Sequence, residues 1–436
     1  MTKTEALTTE KFEQTESTRD RHLKAGISFA LLGAGVAAIA VFAVASEART
    51  VLRLNITRPD VSFAVPTALT MIALGAIAFA LGAIMLAGIY RRLYVLATSG
   101  AVAAIALALV LWGFGRPGVQ VPLESLLAGT LFLALPLILG SLSGVLCERN
   151  GVINIGIEGQ FLMGAFVGAL AATIANNPYI GIIFAMIAGS LTTMLLAVMA
   201  VRYQVNQIVL GVILNVLALG LTGFLFDRVM RDEPISFNRP GGVPRLGSVL
   251  EGVPVLEKLP TIPLVGPLLF NQNIFVYAAL FAVVFLWFAL FHTRWGLRTR
   301  AVGEHPHAAD SVGINVNRFR FWNVTAAGML SGMGGAFFTI GQTLAFSKNM
   351  SAGLGFVALA VMIIGRWNPF GALAGALMIG FLTETQRQMA SMPGGSPIPS
   401  EFLSMLPYIA TIVVVAGLVG RAKPPAANGQ PFTPGG

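Results

Sequence analysis

The chain has 436 residues, 56% of them hydrophobic and only 11% charged, with 28 Lys and Arg against 19 Asp and Glu for a formal net charge of +9. So much apolar surface exceeds what a soluble core of this size hides, so the composition excludes a soluble globular protein and defines a polytopic membrane protein. The positive charge lies in the segments that join apolar stretches, which is the distribution of membrane orientation; no nucleic acid is expected as a partner, and membrane lipid is.

Residues 1–24 are polar and mixed in charge and read as a flexible cytoplasmic tail. The stretch 25–45 ends in Ala43-Val44-Ala45, similar to a signal cleavage site. About 20 apolar residues exceed the roughly 7–15 of a signal core, however, and suit a first spanning helix. Further apolar segments follow at 64–90, 93–113, 125–146, 152–175, 179–201, 207–226, 273–292, 320–340, 353–366, 370–388 and 402–420. Lengths near ~20 predict helices, because in lipid a backbone amide must bond within its own segment. The expectation is an all-α polytopic fold of about 10–12 transmembrane helices. The segment 353–366 is too short to cross a ~30 Å core unless it is a discontinuous helix or extends into polar flanks.

The expected organisation is N-terminal transmembrane helices over 25–113, a core over 125–420 and a second flexible cytoplasmic tail over 421–436. Within the core, 227–272 forms an external loop and 293–320 a charged island. With the N-terminus inside, most Lys and Arg fall in inner segments. The external loop balances Arg228, Arg231, Arg239, Arg245 and Lys258 against Asp227, Asp232, Glu233, Glu251 and Glu257. Both termini are thus expected in the cytoplasm, and the island with them.

Reactive constellations are missing. The four histidines form no H-E-x-x-H array, no Ser sits in G-x-S-x-G, and the single cysteine, Cys147, excludes an internal disulfide and a cysteine metal cage. No catalytic and no metal-binding residue is expected. No lysine follows a glycine as a G-K-[ST] phosphate loop requires, so the energy for active transport must come from a partner or an ion gradient.

In the island, Pro306 suits a first helical residue and Gly313 a left-handed stop. Between them Ala308, Ala309 and Val312 share one face, a flat apolar side suited to another protein's groove. The other reading is a surface turn covering helix ends. Upstream, Asn154-Ile155-Gly156-Ile157-Glu158-Gly159 opens an apolar segment with two glycines, an amide and a carboxylate, a composition suited to backbone lining a cavity. Glu158 has two readings: an acid that caps a helix start or pairs with Arg149, or a group in the transport path. Asn154, Gln160, Gln207 and Asn215 suit the hydroxyls and ring nitrogens of an uncharged solute, and equally suit bonds between helices. Phe356 in its glycine-rich block suits stacking on a planar base or plain core packing.

Several of these stretches resemble one family. His307-Ala308-Ala309 followed by Gly313 is similar to the cytoplasmic E-A-A-x-x-x-G loop of ABC importer permeases. Arg300-Ala301-Val302-Gly303-Glu304-His305-Pro306-His307-Ala308-Ala309 through Gly313-Ile314-Asn315-Val316 resembles the R-A-V-G-E-N-P-x-A-A…G-I-N-V run of the branched-chain amino acid and simple-sugar permease superfamily, with His305 in place of Asn. Glu148-Arg149-Asn150-Gly151-Val152-Ile153-Asn154-Ile155-Gly156-Ile157-Glu158-Gly159 resembles the signature of its nucleoside-type permeases.

The resemblance spans about 125–420 and implies a type II-like ABC importer permease core in a bacterial cytoplasmic (inner) membrane. It implies a second permease subunit, two cytoplasmic ATP-binding subunits that carry ATP-Mg, and an external substrate-binding lipoprotein, with no cofactor held by this chain. Glu304, Pro306, Ala308, Ala309, Asp310 and Gly313 then couple to the ATPase, and the solute is a nucleoside or simple sugar. A branched-chain amino acid permease and an ion-coupled transporter centred on Glu158 are the alternatives.

Overall fold

The computed structural model describes residues 23, 25–45, 47–54, 62–87, 93–115, 120–250, 256–392, 399–413 and 423–433. The expected tail over 1–24 lies outside them apart from Leu23. The chain divides into two compact units, one of Met1–Ala128 with Leu382–Gly420 and one of Gly129–Phe381 with Arg421–Gly436.

The first unit holds helices α1 (Ala25–Phe42), α2 (Thr67–Leu86) and α3 (Leu93–Phe114). α1 and α2 meet through glycines: a Cβ on Gly33 would fall 2.6 Å from the Gly75 carbonyl oxygen. Backbones approach this closely only where side chains are absent, which is how helices associate without a hydrophobic drive between them. Three short strands are added to the expected helices: β1 (Arg49–Arg53) pairs antiparallel with β2 (Ser62–Pro66) and parallel with β3 (Gln120–Pro122). The buried Thr50 and Thr67 hydroxyls bond each other at 2.8 Å where β2 turns into α2.

α4 (Leu123–Arg149) leads into the second unit, followed by α5 (Ile157–Ile174), α6 (Pro178–Val201) and α7 (Gln207–Leu225), which widens into a π-helical turn at Phe226–Met230. Short helices α8 (Pro234–Phe237) and α9 (Leu246–Val249) lie in the long loop before α10 (Ile274–His292). α11 (Arg294–Glu304) and α12 (Pro306–Ser311) precede α13 (Val316–Ala336), which also ends in a π-helical turn, Phe337–Gln342. α14 (Leu354–Ile364) and α15 (Pro369–Ala390) follow, the latter passing back into the first unit, where α16 (Ser400–Val413) lies.

Every expected apolar segment carries a helix. Among the described residues eight are long and apolar enough to span a membrane by themselves: α1, α2, α4, α5, α6, α7 with its extension, α10, and α13 with its extension. The segment 353–366 holds only the 11 residues of α14, about 16 Å of rise or half a hydrocarbon core. α4 is the most buried of these helices, 89% of its most apolar 18 residues being buried against 33% for α6 and for α7. The outward faces carry Ile183, Phe184, Val216 and Phe281, the reverse of a soluble surface. α13 packs on α5 and α6 at glycines, and a Cβ on Gly328 or Gly189 would run into the other's backbone.

The second unit has two distinct ends. At one, Arg149, Arg202, α11, α12 and the start of α13 come together; at the other, Asn238 bonds the Phe346 carbonyl at 3.0 Å and Lys348 pairs with Asp227. The stretch expected as a flexible tail over 421–436 is instead packed over 423–433 at the first of these ends, with Ala427 and Phe432 buried.

Candidate functional site

α5 does not follow α4 directly. Gly151 adopts φ +85° and the backbone stays nonhelical to Gly156, yet most of this segment is buried. Nonhelical backbone in a lipid setting must find partners inside the protein. It does so on α7: Gln207 Oε1 accepts from the Ile153 N–H at 2.7 Å, and in the first turn of α5 Asn215 Oδ1 accepts from the Gly159 N–H at 2.8 Å. The Asn215 amide donates in turn to the Ile155 carbonyl at 2.9 Å.

Asn154 and Gln160 face each other as a buried amide pair, with Gln160 Nε2 donating to Asn154 Oδ1 at 2.8 Å and Asn154 Nδ2 to Gln160 Oε1 at 3.3 Å. Ser331 of α13 adds a third bond to Gln160 Oε1 at 2.7 Å. The four sequence-predicted amides all serve this chain break: Gln207 and Asn215 tie it to α7, Gln160 ties it to α13, and Asn154 closes it on Gln160.

Glu158 joins two chain breaks. Its Oε1 accepts from Ser351 Oγ at 2.6 Å and the Gly353 N–H at 2.8 Å, and its Oε2 from the Gly355 N–H at 2.7 Å. The two backbone N–H groups are free donors at the N-terminus of α14, where helix dipole and unsatisfied amides favour an anion. Gly355 has to be glycine, because a Cβ there would collide with the Glu158 backbone. The loop before α14 reaches back along α5 from Phe166, whose ring meets Phe346, to Glu158. Eight residues of α5 separate these points, about 12 Å. Glu158 thus caps the start of a distant half-length helix. Arg149 turns instead to the Trp367 carbonyl at 2.9 Å. Phe356 is not part of this cluster; it is half-exposed on the outward face of α14.

At the arginine-bearing end, α12 begins on Pro306 and ends before Gly313, which takes φ +83°. The Gly313 N–H bonds the Asp310 carbonyl at 2.9 Å, and Ile314 N–H the Ala309 carbonyl at 3.1 Å. The apolar face expected of Ala308, Ala309 and Val312 is divided. Ala309 turns inward and is buried with Val302, Val316 and Phe432, whereas Ala308 stays exposed and Val312 is 74% exposed. The segment 423–433 lies across this region. Ala426 N–H donates to Glu304 Oε2 at 3.0 Å, Ala427 N–H to the Gly303 carbonyl at 3.0 Å and Gly429 N–H to the Gly151 carbonyl at 3.1 Å.

Residues overlooked as site members are Glu148, Asn150, Asn323 and Trp367. Glu148 Oε2 accepts from Trp367 Nε1 at 2.7 Å and Asn428 Nδ2 at 2.8 Å, while Asn150 bonds the Phe319 and Arg320 carbonyls and accepts from Asn323. Glu148 and Asn150 stood in the motif Glu148-Arg149-Asn150-Gly151; the signal was present, and what it lacked was the identity of the partners.

A bundle of long apolar helices, broken inside by polar-pinned backbone and carrying short helices at one end, defines a multi-pass helical permease. The chain matches the family described as branched-chain amino acid transport system / permease component over residues 126–415, and it belongs to that family. It is 37% identical to the guanosine ABC transporter permease protein NupQ of Bacillus subtilis over 72% of this chain and 98% of that protein. It is also 37% identical to the nucleoside ABC transporter permease protein NupC of Lactococcus lactis, over 70% of this chain and 96% of that protein. The putative glucose ABC transporter permease protein TsgC13 of Haloferax volcanii is 30% identical, over 68% and 92%. No solved structure matches the chain.

Proposed function

We propose that the chain is a membrane-spanning permease subunit of an ABC importer for nucleosides. The observation that carries this reading is the 37% identity to a guanosine and a nucleoside permease over nearly their whole length. Both of those organisms also hold a second, more distant relative of this chain that is a permease of the same kind, at 26% and 23% identity. This supports pairing with a second permease subunit. Two cytoplasmic ATP-binding subunits carrying ATP-Mg and an external lipoprotein that delivers the solute complete the assembly, which sits in the cytoplasmic membrane with both termini inside.

The ATPase-facing element in this reading is α12, with Val312 and Ala308 on its outer face and Glu304, Pro306, Asp310 and Gly313 shaping its ends. Closure of the ATP-binding subunits displaces α12, and the rigid helices convert that into alternating access. Along the solute path, Asn154, Glu158, Gln160, Gln207 and Asn215 hold the broken helices in register.

The test is uptake of labelled guanosine, ribose and leucine in a strain lacking the gene, restored with the wild-type chain and either an active or a hydrolysis-dead ATP-binding partner. Guanosine uptake that requires the active partner is expected. Uptake that persists with the dead partner would overturn the ABC reading, and restoration of ribose or leucine alone would overturn the nucleoside reading.

A further inference from the structure

We propose that the segment 423–433 is a strap that positions α12 on the core, so that a displacement of α12 is transmitted to α4, α11 and α13. The proposal rests on the reading of α12 as the ATPase-facing helix. α12 has six residues, too few to hold a helix by its own hydrogen bonds, and its inner face presents one small side chain, Ala309. The bulk beneath Ala309 comes from far along the chain: Phe432 is 3% exposed, packed with Val302 and Val316, and its ring lies 5.1 Å from that of His307.

A buried phenyl is among the largest apolar contributions a residue makes, and here it fills the space between a short helix and the core. The strap also holds α11 through Gly303 and Glu304 and the turn after α4 through Gly151. Two buried polar side chains bond to it, Glu148 alongside its Trp367 partner. Arg320 donates to the Gln430 carbonyl at 2.7 Å, and Glu148 receives the Asn428 amide at 2.8 Å. Buried polar groups deprived of partners are costly, so these bonds bind the strap into the fold. Pro424, Pro425 and Pro431 reduce the freedom the segment loses on docking. Gly429, at φ +77°, makes the turn that lets one short run touch both sides.

The experiment measures solute uptake and ATP hydrolysis together in the complete transporter reconstituted in liposomes. The variants are Phe432→Ala, Phe432→Leu and deletion of 423–436. Expected is solute moved per ATP lower by about tenfold in Phe432→Ala, with much of it regained in Phe432→Leu. Release of the ATP-binding subunits from an inserted permease counts as the same result. An unchanged ratio in both Phe432→Ala and the deletion overturns the strap.

Should those variants fail to insert, Gln204→Cys with Thr433→Cys, bridged by a short bifunctional thiol reagent, decides. Gln204 Nε2 reaches the Phe432 carbonyl at 3.5 Å, and Cys147 is buried away from the reagent. A bridged transporter that keeps its uptake supports a strap that stays docked; loss of uptake on bridging overturns it. Val312→Arg separates the two claims. If it leaves the ATP-binding subunits attached, the reading of α12 fails; if it releases them while the strap variants behave as wild type, only the strap fails.

Discussion

Glu158 looked in the sequence like the one titratable group able to serve an ion-coupled path, and its surroundings show a different occupation. Three donors converge on its carboxylate, two of them backbone amides that α14 cannot satisfy itself. In Glu158→Gln an NH2 replaces one acceptor and meets a donor head-on, so at least one buried N–H loses its bond. Hydrogen bonds to a charged group contribute about 1.5–3 kcal/mol, and an orphaned buried donor costs a similar amount. The expected outcome is a loss of about 2–4 kcal/mol in Glu158→Gln and more in Glu158→Ala, read as a lowered Tm of the detergent-purified subunit with falling uptake in parallel. A variant with wild-type Tm and a changed KM would instead mark Glu158 as a solute contact. The capping role was foreseeable from the residue type near a helix start. Its partners, 193 to 197 positions away, were not, because no local pattern links Glu158 to Ser351 or Gly355.

Helices were the most legible elements, since hydropathy alone marks a segment that must satisfy its own amides. The bounds of α12 were legible too, because proline at a helix start and a left-handed glycine after its end leave little conformational choice. Which face of α12 points inward was not legible. Ala308, Ala309 and Val312 are similar in character, and the choice among them is made by Phe432, whose own Pro-rich surroundings read as a solvated tail. The strands β1 to β3 escaped for a related reason: each is five residues or fewer, and their pairing joins stretches with no alternating pattern. From the divided face it follows that Ala309→Arg and Val312→Arg differ in kind. The first drives a charge into the Val302, Val316 and Phe432 cluster and is expected to lower the yield of folded subunit in gel filtration. The second adds a charge in water and leaves that yield unchanged. Equal behaviour of the two would contradict the packing of α12. Gly328→Leu, by the same reasoning, is expected to give no folded subunit, since the α6 backbone occupies the space; a monodisperse Gly328→Leu protein would refute that contact.

For the whole molecule, the relatives mark out how much of the chain a permease needs. NupQ is matched over 98% of its length by 72% of this chain, and the family match begins at residue 126. α1, α2, α3 and the sheet are therefore additions, and the first unit combines them with 382–413, which the family does include. Removing the additions takes Gly113 of α3 away from Met389 of α15. In water that exposure would be penalised, but lipid chains replace a lost apolar neighbour at little cost. Polar groups are the greater concern, and Glu384 keeps its partners, because Arg387 and Gln388 lie on its own helix at 3.1 and 2.8 Å. A chain beginning at Leu123 should accordingly insert, purify as a single species and retain the ATP-binding subunits, with a Tm within a few degrees of the full chain. Aggregation of this shortened chain, or loss of the ATP-binding subunits from it, would mean that α1 to α3 are part of what holds the permease core together.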